Sequence, residues 1–489
     1  MYSKFYSQEY LIRHVLIIFA VLILLFSFTG GVNAFGGGSG TSSDPFVIQN
    51  QAHLTAINGN LGSHFILGND IHLTGQWVPI GTAGNPFTGS LDGNGHTIHY
   101  LTVNQPSNNY VGLFAVTSGA FITHLTIESA SVSGFSNVGI IAGHAADTII
   151  DGITVAGNAF GSYVGDDGAF GLVVGRMTGG EISNTHAAGN IGGYMNVGGL
   201  VGFMNNGLIS DSSASGSVSG RASGGLVGFM QDSSITGSSA TGNIEGFTLV
   251  GGLVGSMTLS EISYSYATGS IVGTEGRAGG LVGQTNDNSV ISNSHATGNV
   301  AGNAIVGGLV GELINSEISG SYAAGNVFGT SMIGGLVGQT NFNSYITGSF
   351  AAGNVSGVMT VGGLAGLLQI STIQNSFATG NVDGSMFTVG GLVGSSIDSQ
   401  VINSMALNEF VNGTIRTHRD FGLTRDTVSS NVFVWSNLSG TNSLSTTQTV
   451  TSLQVWNSYP SAFWTNLGFT QNHWVLNNHN QFLLPVQAW

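Results

Sequence analysis

The chain has 489 residues, and Asp, Glu, Lys and Arg together make up 6% of them, against about a quarter in ordinary globular proteins. The complete lack of Cys excludes a disulfide scaffold, a thiol nucleophile and a thiolate metal site. The net charge of −15 argues against a nucleic-acid partner, because binding to phosphates needs Lys and Arg.

The first 34 residues have the pattern of a signal peptide. Lys4 and Arg13 precede an apolar run over residues 15–28, which suits a signal-peptide core and is short for a membrane span. The small residues at the end of the segment predict cleavage before Phe35; an uncleaved anchor helix is the alternative. No later stretch has 18 consecutive apolar residues, so we expect no membrane span in the mature chain.

Residues 111–411 contain an internal repeat. Its clearest mark is Gly-Gly-Leu-Val-Gly, with one Gly-Gly-Leu-Ala-Gly, and these motifs begin at Gly198, Gly224, Gly251, Gly279, Gly307, Gly334, Gly362 and Gly390. A second segment opens with an apolar residue, which we place at Ile182, Ile209, Ile235, Ile262, Ile291, Ile318, Ile346, Ile373 and Ile402. Another apolar residue follows nine positions later, at Ile191, Val218, Ile244, Ile271, Val300, Val327, Val355, Val382 and Val411.

The second segment alternates between two classes of residue. Ser238, Ala240 and Ile244 are small or β-branched and alternate with the polar Thr241 and Asn243. This period of two is typical of a strand, and the abundant Gly opposes a helix. A unit of about 27 residues is too short for a propeller blade. We therefore predict an all-β fold in which each unit is one coil of a parallel β-solenoid.

A solenoid exposes strand edges and core at its two ends, so both ends need a cap. We expect residues 35–110 to hold the N-terminal cap and the first coils. The repeat is predicted to stop at residue 411, and residues 412–489 to form a C-terminal cap.

The motifs resemble a known family. The repeated Gly-Gly-Leu-Val-Gly, followed by a segment of the type Ile-x-x-Ser-x-Ala-x-Gly-Asn-Val, is similar to the GLUG motif of bacterial and archaeal surface proteins. The stretch around Trp77 and residues 86–98 resembles the first coils of such proteins, and the segment around Phe463 their closing part. The resemblance implies a right-handed β-helix outside the cell, often described as adhesin-like, and no particular ligand.

The sequence offers no convincing site for catalysis, metal or cofactor. Asp166 and Asp167 form the one adjacent acidic pair, and a solvated loop explains them better than catalysis does. Asp92 lies in a turn that its side chain would stabilise. His96 and His99 are three apart, which places them on opposite faces of a strand. The acids of the repeats, such as Asp211, Asp232, Glu261, Glu317 and Asp383, do not fall in one column. We therefore predict no catalytic residue, no metal ligand and no cofactor.

Two columns of outward residues remain. The residue before the repeat Ala is a ring in five successive units, and these candidate binding residues are Tyr266, His295, Tyr322, Phe350 and Phe377. Stacked rings about 4.8 Å apart could contact sugars or a protein, or simply stabilise the sheet. The second column runs Asn190, Ser217, Asn243, Ser270, Asn299, Asn326, Asn354, Asn381 and Asn408. Its amides can bond along the rod; together with nearby Thr they also suggest a weaker, ice-binding alternative.

These observations favour a non-catalytic exported protein, secreted or held at the cell surface, in an adhesin-like or envelope role. Its expected partners are glycans or surface and envelope proteins. Two alternatives stay open: a polysaccharide-active β-helix lyase or hydrolase, and a subunit of a sheath or lattice. The enzyme alternative requires three or more carboxylates and an Arg to converge in a groove.

Overall fold

The chain forms a β-solenoid, as predicted. A computed structural model describes residues 35–165, 167–435, 448–450, 474–479 and 482–487. It has 55% strand and 2% helix, and its parallel strands are stacked over about 13 turns. The predicted signal peptide and the cleavage site before Phe35 lie outside the described residues, as does the segment around Phe463.

Each regular coil contains up to five short strands, and strands at the same position in successive coils pair in parallel. We call the resulting columns stacks 1 to 5, numbered along the coil from the glycine motif. Stack 1 is a separate twelve-stranded sheet, and stacks 2 to 5 join into one large sheet. Stack 1 consists of Phe114–Ser118, Ala142–Ala146, Val174–Thr178, Val201–Asn205, Val227–Gln231, Val254–Thr258, Val282–Asn286, Val310–Ile314, Val337–Asn341, Ala365–Gln369, Val393–Ile397 and Phe421–Arg425. Stack 2 consists of Phe46–Ile48, His64–Leu67, Ser90–Asp92, Phe121–Thr123, Ile149–Asp151, Glu181–Ser183, Leu208–Ser210, Ser234–Thr236, Glu261–Ser263, Val290–Ser292, Glu317–Ser319, Tyr345–Thr347, Thr372–Gln374, Gln400–Ala406 and Val428–Trp435, the last two running on into stack 3.

The remaining stacks contain shorter strands. Stack 3 consists of Ile71–His72, Thr97–His99, Thr126–Gly134, Thr154–Gly161, His186–Ala188, Ser213–Ser215, Ser239–Ala240, Tyr266–Ala267, His295–Ala296, Tyr322–Ala323, Phe350–Ala351, Phe377–Ala378 and Gln448–Val450, of which the third and fourth run on into stack 4. Stack 4 consists of Thr102–Gln105, Ile191–Gly192, Val218–Gly224, Ile244–Gly251, Ile271–Gly273, Val300–Gly302, Val327–Phe328, Val355–Gly357, Val382–Gly384 and Val411–Asn412, of which the third and fourth run on into stack 5. Stack 5 consists of Phe170–Gly171, Val197–Gly198, Arg277–Gly279, Ile305–Gly307, Met332–Gly334, Thr360–Gly362, Thr388–Gly390 and Thr417–His418.

Three further elements lie outside the stacks. A short α-helix, Gln51–Ala56, and a 3-10 turn, Ile57–Gly59, contribute the buried Leu54 and Ile57 to the core. Trp474–His479 and Phe482–Gln487 pair as an antiparallel hairpin. In the described part of the chain, no helix has the length and apolar character needed to cross a bilayer.

The predicted isoleucine column forms the centre of the core. Ile291, Ile318 and Ile346 are direct partners in successive strands of stack 2, and all are buried. The column continues towards the N-terminus through Ile150, beyond the units that the sequence identified. Its far end differs from the prediction, because Ile373 pairs with the buried Val401 and not with Ile402.

A ladder of buried hydroxyls closes the corner between stacks 2 and 3. Each serine donates its backbone N–H to the hydroxyl of the equivalent serine one coil further on, and its own hydroxyl donates to the carbonyl two residues before it. For Ser238 these bonds reach Ser265 Oγ at 3.1 Å and Thr236 O at 2.8 Å. The members are Ser212, Ser238, Ser265, Ser294, Ser321, Ser349, Ser376 and Ser404. The ladder satisfies buried backbone groups that the corner removes from the strand pairing.

The paired glycines of the motif serve close packing of the backbone. A Cβ on Gly307 would collide with the carbonyl of Val310, and one on Gly308 with the carbonyl of Gly335 in the next coil. Of the two roles that the sequence offered for these glycines, the structure shows close approach between backbones here.

The solenoid extends beyond residue 411, so the predicted boundary at 411 and 412 comes one coil too early. Phe421–Arg425 pairs with Val393–Ile397 in stack 1, and Val428–Trp435 pairs with Gln400–Ala406 in stack 2. The last coil lacks the glycine motif, which explains why the repeat was not recognised there.

Ile318 tests the assignment of inward and outward faces. Ile318→Ala should lower the free energy of unfolding by about 2–5 kcal/mol, because it leaves a cavity in a dense column. Thr297→Ser changes an exposed side chain one coil earlier and should alter it by no more than about 0.5 kcal/mol. Denaturant titration of both variants measures the difference, and equally mild effects would mean that the faces are assigned wrongly.

Candidate functional site

The five predicted rings form a continuous stack on the outer side of stack 3. Tyr266, His295, Tyr322, Phe350 and Phe377 are direct partners in successive strands. Their ring centroids are 5.1, 4.7, 4.9 and 4.9 Å apart, and neighbouring planes lie within 10° of parallel. The structure therefore brings all five together at the spacing of the coils.

The exposure of the rings falls along the rod. Tyr266 is 38% exposed and Phe350 is 6% exposed, whereas Phe377 is fully buried; His295 and Tyr322 are half-buried. The expectation of an exposed strip is therefore wrong for Phe350 and Phe377, which are part of the protein's interior. Their burial favours a stabilising role for that half of the stack, and only the half from Tyr266 to Tyr322 can meet a partner.

Burial changes the proton affinity of the imidazole in this stack. Desolvation lowers the pKa of His295 to about 4, because the half-buried imidazole loses part of the water that would stabilise its charged form. At neutral pH the ring is therefore uncharged and stacks between two tyrosines as an aromatic group.

The asparagine column bonds along the rod, as predicted. Each side-chain Oδ1 accepts the backbone N–H of the equivalent residue in the next coil, for example Asn354 from Asn381 at 2.9 Å and Asn326 from Asn354 at 3.0 Å. Asn408 is not a member of this column. Phe410 takes the next position, donating to Asn381 Oδ1, and Asn408 is buried instead.

The acidic residues form no converging groove in the parts described. Glu312 is buried and accepts from Arg277 Nε at 2.7 Å, Gln284 Nε2 at 3.0 Å and Asn341 Nδ2 at 3.0 Å. The cluster contains one carboxylate, and its oxygens accept hydrogen bonds from three donors. This arrangement favours a structural role over a catalytic one. The expectation that repeat acids share no column is wrong for Glu261 and Glu317, which occupy one line of stack 2 with Val290 between them.

The remaining polar candidates have local roles. Asp92 Oδ1 accepts the N–H of Asn94 at 2.8 Å, which confirms the turn. His96 contacts Asp70 and His99 contacts Glu128, at 3.1 and 3.5 Å. Among the described residues no three His, Asp or Glu side chains are grouped to hold a metal ion. Asp166 lies outside the described residues.

A cleft that the sequence interpretation missed lies on the irregular coils before the regular repeat. Its volume is about 420 Å³, within the range of about 300–1,000 Å³ typical of small-molecule sites. Its lining residues are Asn109, Tyr110, Phe135, Ser136, Asn137, Tyr163, Asp167 and Arg176. Tyr110, Phe135 and Tyr163 are separated by 25 and 28 positions, close to one coil each, and that spacing was the available signal.

Comparison with known proteins identifies the repeat. The family model of the GLUG motif matches residues 193–219, 219–245, 274–301 and 357–383. The chain therefore carries GLUG motifs, and the resemblance inferred from the sequence is confirmed.

Two curated proteins share part of the chain. “Putative Gly-rich membrane protein” of Evansella cellulosilytica is 35% identical over an alignment of 122 residues, and the match covers 22% of this chain and 14% of that protein. “Halomucin” of Haloquadratum walsbyi is 36% identical over an alignment of 160 residues, and the match covers 29% of this chain and 2% of that protein. The chain thus matches only a small fraction of either relative's length.

Two solved structures are distantly similar. “Crystal structure of a putative immunoglobulin A1 protease from Bacteroides ovatus” describes one of them, which has a TM-score of 0.33 at 21% identity, covering 60% of this chain and 78% of that one. “IgA1 Protease” describes the other, which has a TM-score of 0.19 at 16% identity, covering 81% of this chain and 21% of that one. Neither likeness supports an inference about function.

The buried imidazole predicts a pH dependence of stability. An unfolded His titrates near 6.5, whereas folded His295 resists protonation down to about pH 4. The unfolded state therefore binds more protons in this window, and stability is lost as the pH falls from about 6.5 towards 4. His295→Tyr should remove this loss, because a tyrosine does not titrate there.

The measurement is the melting temperature of the parent protein and of His295→Tyr between pH 7 and pH 4. Both proteins have the same carboxylates, so the difference between the two curves reports the imidazole. Tyr322→Phe is the matched control, because it changes the neighbouring ring of the same stack and leaves the imidazole in place; it should leave the slope unchanged. Parallel curves for the parent protein and His295→Tyr would contradict the burial of this imidazole.

Proposed function

We propose that this GLUG-repeat β-solenoid is an exported, non-catalytic protein of the cell surface, which acts as a rod in adhesion or in the cell envelope. The observation that carries the proposal is the unbroken coil-to-coil pairing of stack 1, from Phe114–Ser118 to Phe421–Arg425. About 13 coils at a spacing of about 4.8 Å would give a rod of roughly 60 Å. Such a body suits extension from a surface.

The chemistry of the exterior supports a place outside the cell. After residue 34 the chain has no Lys, six Arg and 22 Asp or Glu, so its polar exterior consists of Ser, Thr, Asn and carboxylates with few cations. The two curated relatives carry the names of a membrane protein and a halomucin, and both names fit an exposed setting. The run over residues 15–28, apolar except for Ser27, fits the core of a signal peptide and supports export.

The enzyme alternative receives less support than the surface role. Its requirement was three or more carboxylates with an Arg, and the Arg277 cluster supplies one carboxylate that is already saturated by donors. A sheath or lattice subunit would need lateral contacts between rods. Exposed rings such as Phe342 and Tyr345 would be available for these contacts.

Export to the surface predicts that the mature protein is accessible on intact cells. Antibodies against the purified chain should label unpermeabilised source cells, and sequencing of the extracted protein should begin at Phe35. An antibody against a cytoplasmic protein is the control and should need permeabilised cells. Labelling that appears only after permeabilisation would overturn the proposed location.

The accessible half of the ring stack is the proposed contact surface for adhesion. Replacing Tyr266 and Tyr322 together by Ser should lower retention of the full chain on isolated cell envelopes about fivefold or more, because stacking on planar groups is lost. The fold should tolerate the change, since Ser213 and Ser239 occupy the same column.

Tyr345→Ser is the matched control, because Tyr345 is an exposed ring outside the stack. The circular dichroism spectrum should show the same strand signal for all variants. If the double variant is retained as well as the parent protein, the ring stack has a structural role only.

A further inference from the structure

The cleft around Tyr110, Phe135, Tyr163 and Arg176 is built by an irregular coil. The glycine motifs that begin at Gly139 and Gly171 are 32 residues apart, against 27 for Gly171 to Gly198. The parts of this longer unit at Tyr163 and Asp167 form one wall of the cleft. The surface therefore has a concave site where the repeat is interrupted.

Backbone hydrogen bonds between loops hold this wall in place. The N–H of Phe135 donates to Asn108 O at 2.8 Å, and the N–H of Tyr163 donates to Phe135 O at 2.8 Å. Ser162 Oγ donates to Pro106 O at 3.0 Å. The loops are thus tied to neighbours one coil away, and through Ser162 two coils away.

Three rings, those of Tyr110, Phe135 and Tyr163, form the aromatic part of the cleft lining. The rings of Phe135 and Tyr163 meet edge to face, with centroids 5.1 Å apart, and Phe135 is 37% exposed. The ring of Tyr110 stacks beside His144, with centroids 6.0 Å apart. Tyr110 has φ of +59°. This left-handed backbone conformation is unfavourable for a residue with a bulky side chain.

Arg176 provides a fixed donor at the cleft. Its guanidinium lies over the ring of Phe203, with Cζ 4.3 Å from the centroid. Nε donates to Asn137 Oδ1 at 3.0 Å and Nη2 donates to Asp167 O at 2.9 Å. Asn137 is itself buried. The guanidinium is therefore oriented before any ligand arrives, and its remaining N–H groups are the donors it can offer.

The mixture of groups selects the chemistry of the ligand. Aromatic faces suit the C–H face of a pyranose ring, and the guanidinium, amide and carboxylate suit its hydroxyls as donors and acceptors. An anion would fit Arg176 alone, but Asp167 lines the same cleft and the chain carries a net charge of −15, which repels anions.

We propose that this cleft is a carbohydrate-binding site that takes a neutral pyranose residue of a glycan. The proposal rests on the proposed function in one respect, the location outside the cell, because polysaccharides are met there. The site lies on the irregular coils and shares no residue with the ring stack, so binding here and adhesion through the rings can fail separately.

Binding of defined oligosaccharides to the purified full chain tests the proposal. The probes are neutral tetramers of glucose, mannose, galactose and xylose, with a tetramer of galacturonic acid as the anionic comparison, each followed by isothermal calorimetry. At least one neutral tetramer should bind and the anionic one should bind more weakly. Phe135→Ala, Tyr163→Ala and Arg176→Gln should each weaken binding about tenfold.

Two variants with comparable exposed groups elsewhere are the matched controls. Tyr345→Ala removes an exposed ring, and Arg425→Gln removes an exposed guanidinium that lies 3.7 Å from Asp398. Both should bind like the parent protein, and all variants should keep its strand signal and melting temperature within a few degrees.

Three outcomes would overturn the proposal: no binding of any neutral tetramer, stronger binding of the anionic tetramer, or binding that the cleft variants leave unchanged. If a neutral tetramer binds, the same calorimetry is repeated with envelope polysaccharide from the source cells and with polysaccharide from unrelated cells. This comparison distinguishes a ligand in the protein's own envelope from one on another surface. None of these measurements depends on where the protein resides, so they are independent of the labelling of intact cells.

Discussion

The structure depends on satisfying buried backbone groups where each coil turns a corner. Strand pairing between coils satisfies the straight parts, but a corner interrupts that pairing inside a narrow body with no room for water. The serine ladder solves this locally. Ser265 donates its N–H to Ser294 Oγ at 3.1 Å, and Ser294 Oγ donates to Ser292 O at 2.7 Å. Each serine hydroxyl accepts the backbone N–H of the coil before it, so every coil needs a serine at the same place in the next coil. This requirement explains why the chain is repetitive.

The same constraint determines the rest of the interior. Stacked coils repeat each inward residue at the strand spacing, so a side chain must pack against a copy of itself or something of similar size. Ile318 can do so between Ile291 and Ile346, and the glycines of the motif let backbones approach where no side chain fits. A charged column would place like charges at that same short spacing. The buried Glu312 occurs once and is surrounded by donors, which is consistent with the low content of charged residues.

Regular repetition made the fold predictable from the sequence, and departures from repetition limited the prediction. Period and alternation were enough to give the solenoid, the inward isoleucines and the amide column. The errors lie in the last units, where one extra residue between Ala406 and Val411 moves Asn408 out of its column and where a coil without the glycine motif follows. The burial of Phe350 and Phe377 could not be read from the alternation, since an outward position says nothing about what else packs over it.

The cleft shows how a repeated structure can acquire a specific site. On a regular rod the backbone positions recur in every coil, so the regular face offers many positions of similar shape. Here a coil of different length, the 32-residue unit after Gly139, contributes Tyr163 to a cleft whose other rings, Tyr110 and Phe135, come from the two preceding coils. These residues are far apart in the chain and belong to no local motif. Their proximity follows only when the positions are compared one coil apart, so in a solenoid the irregular units are the places to look for recognition.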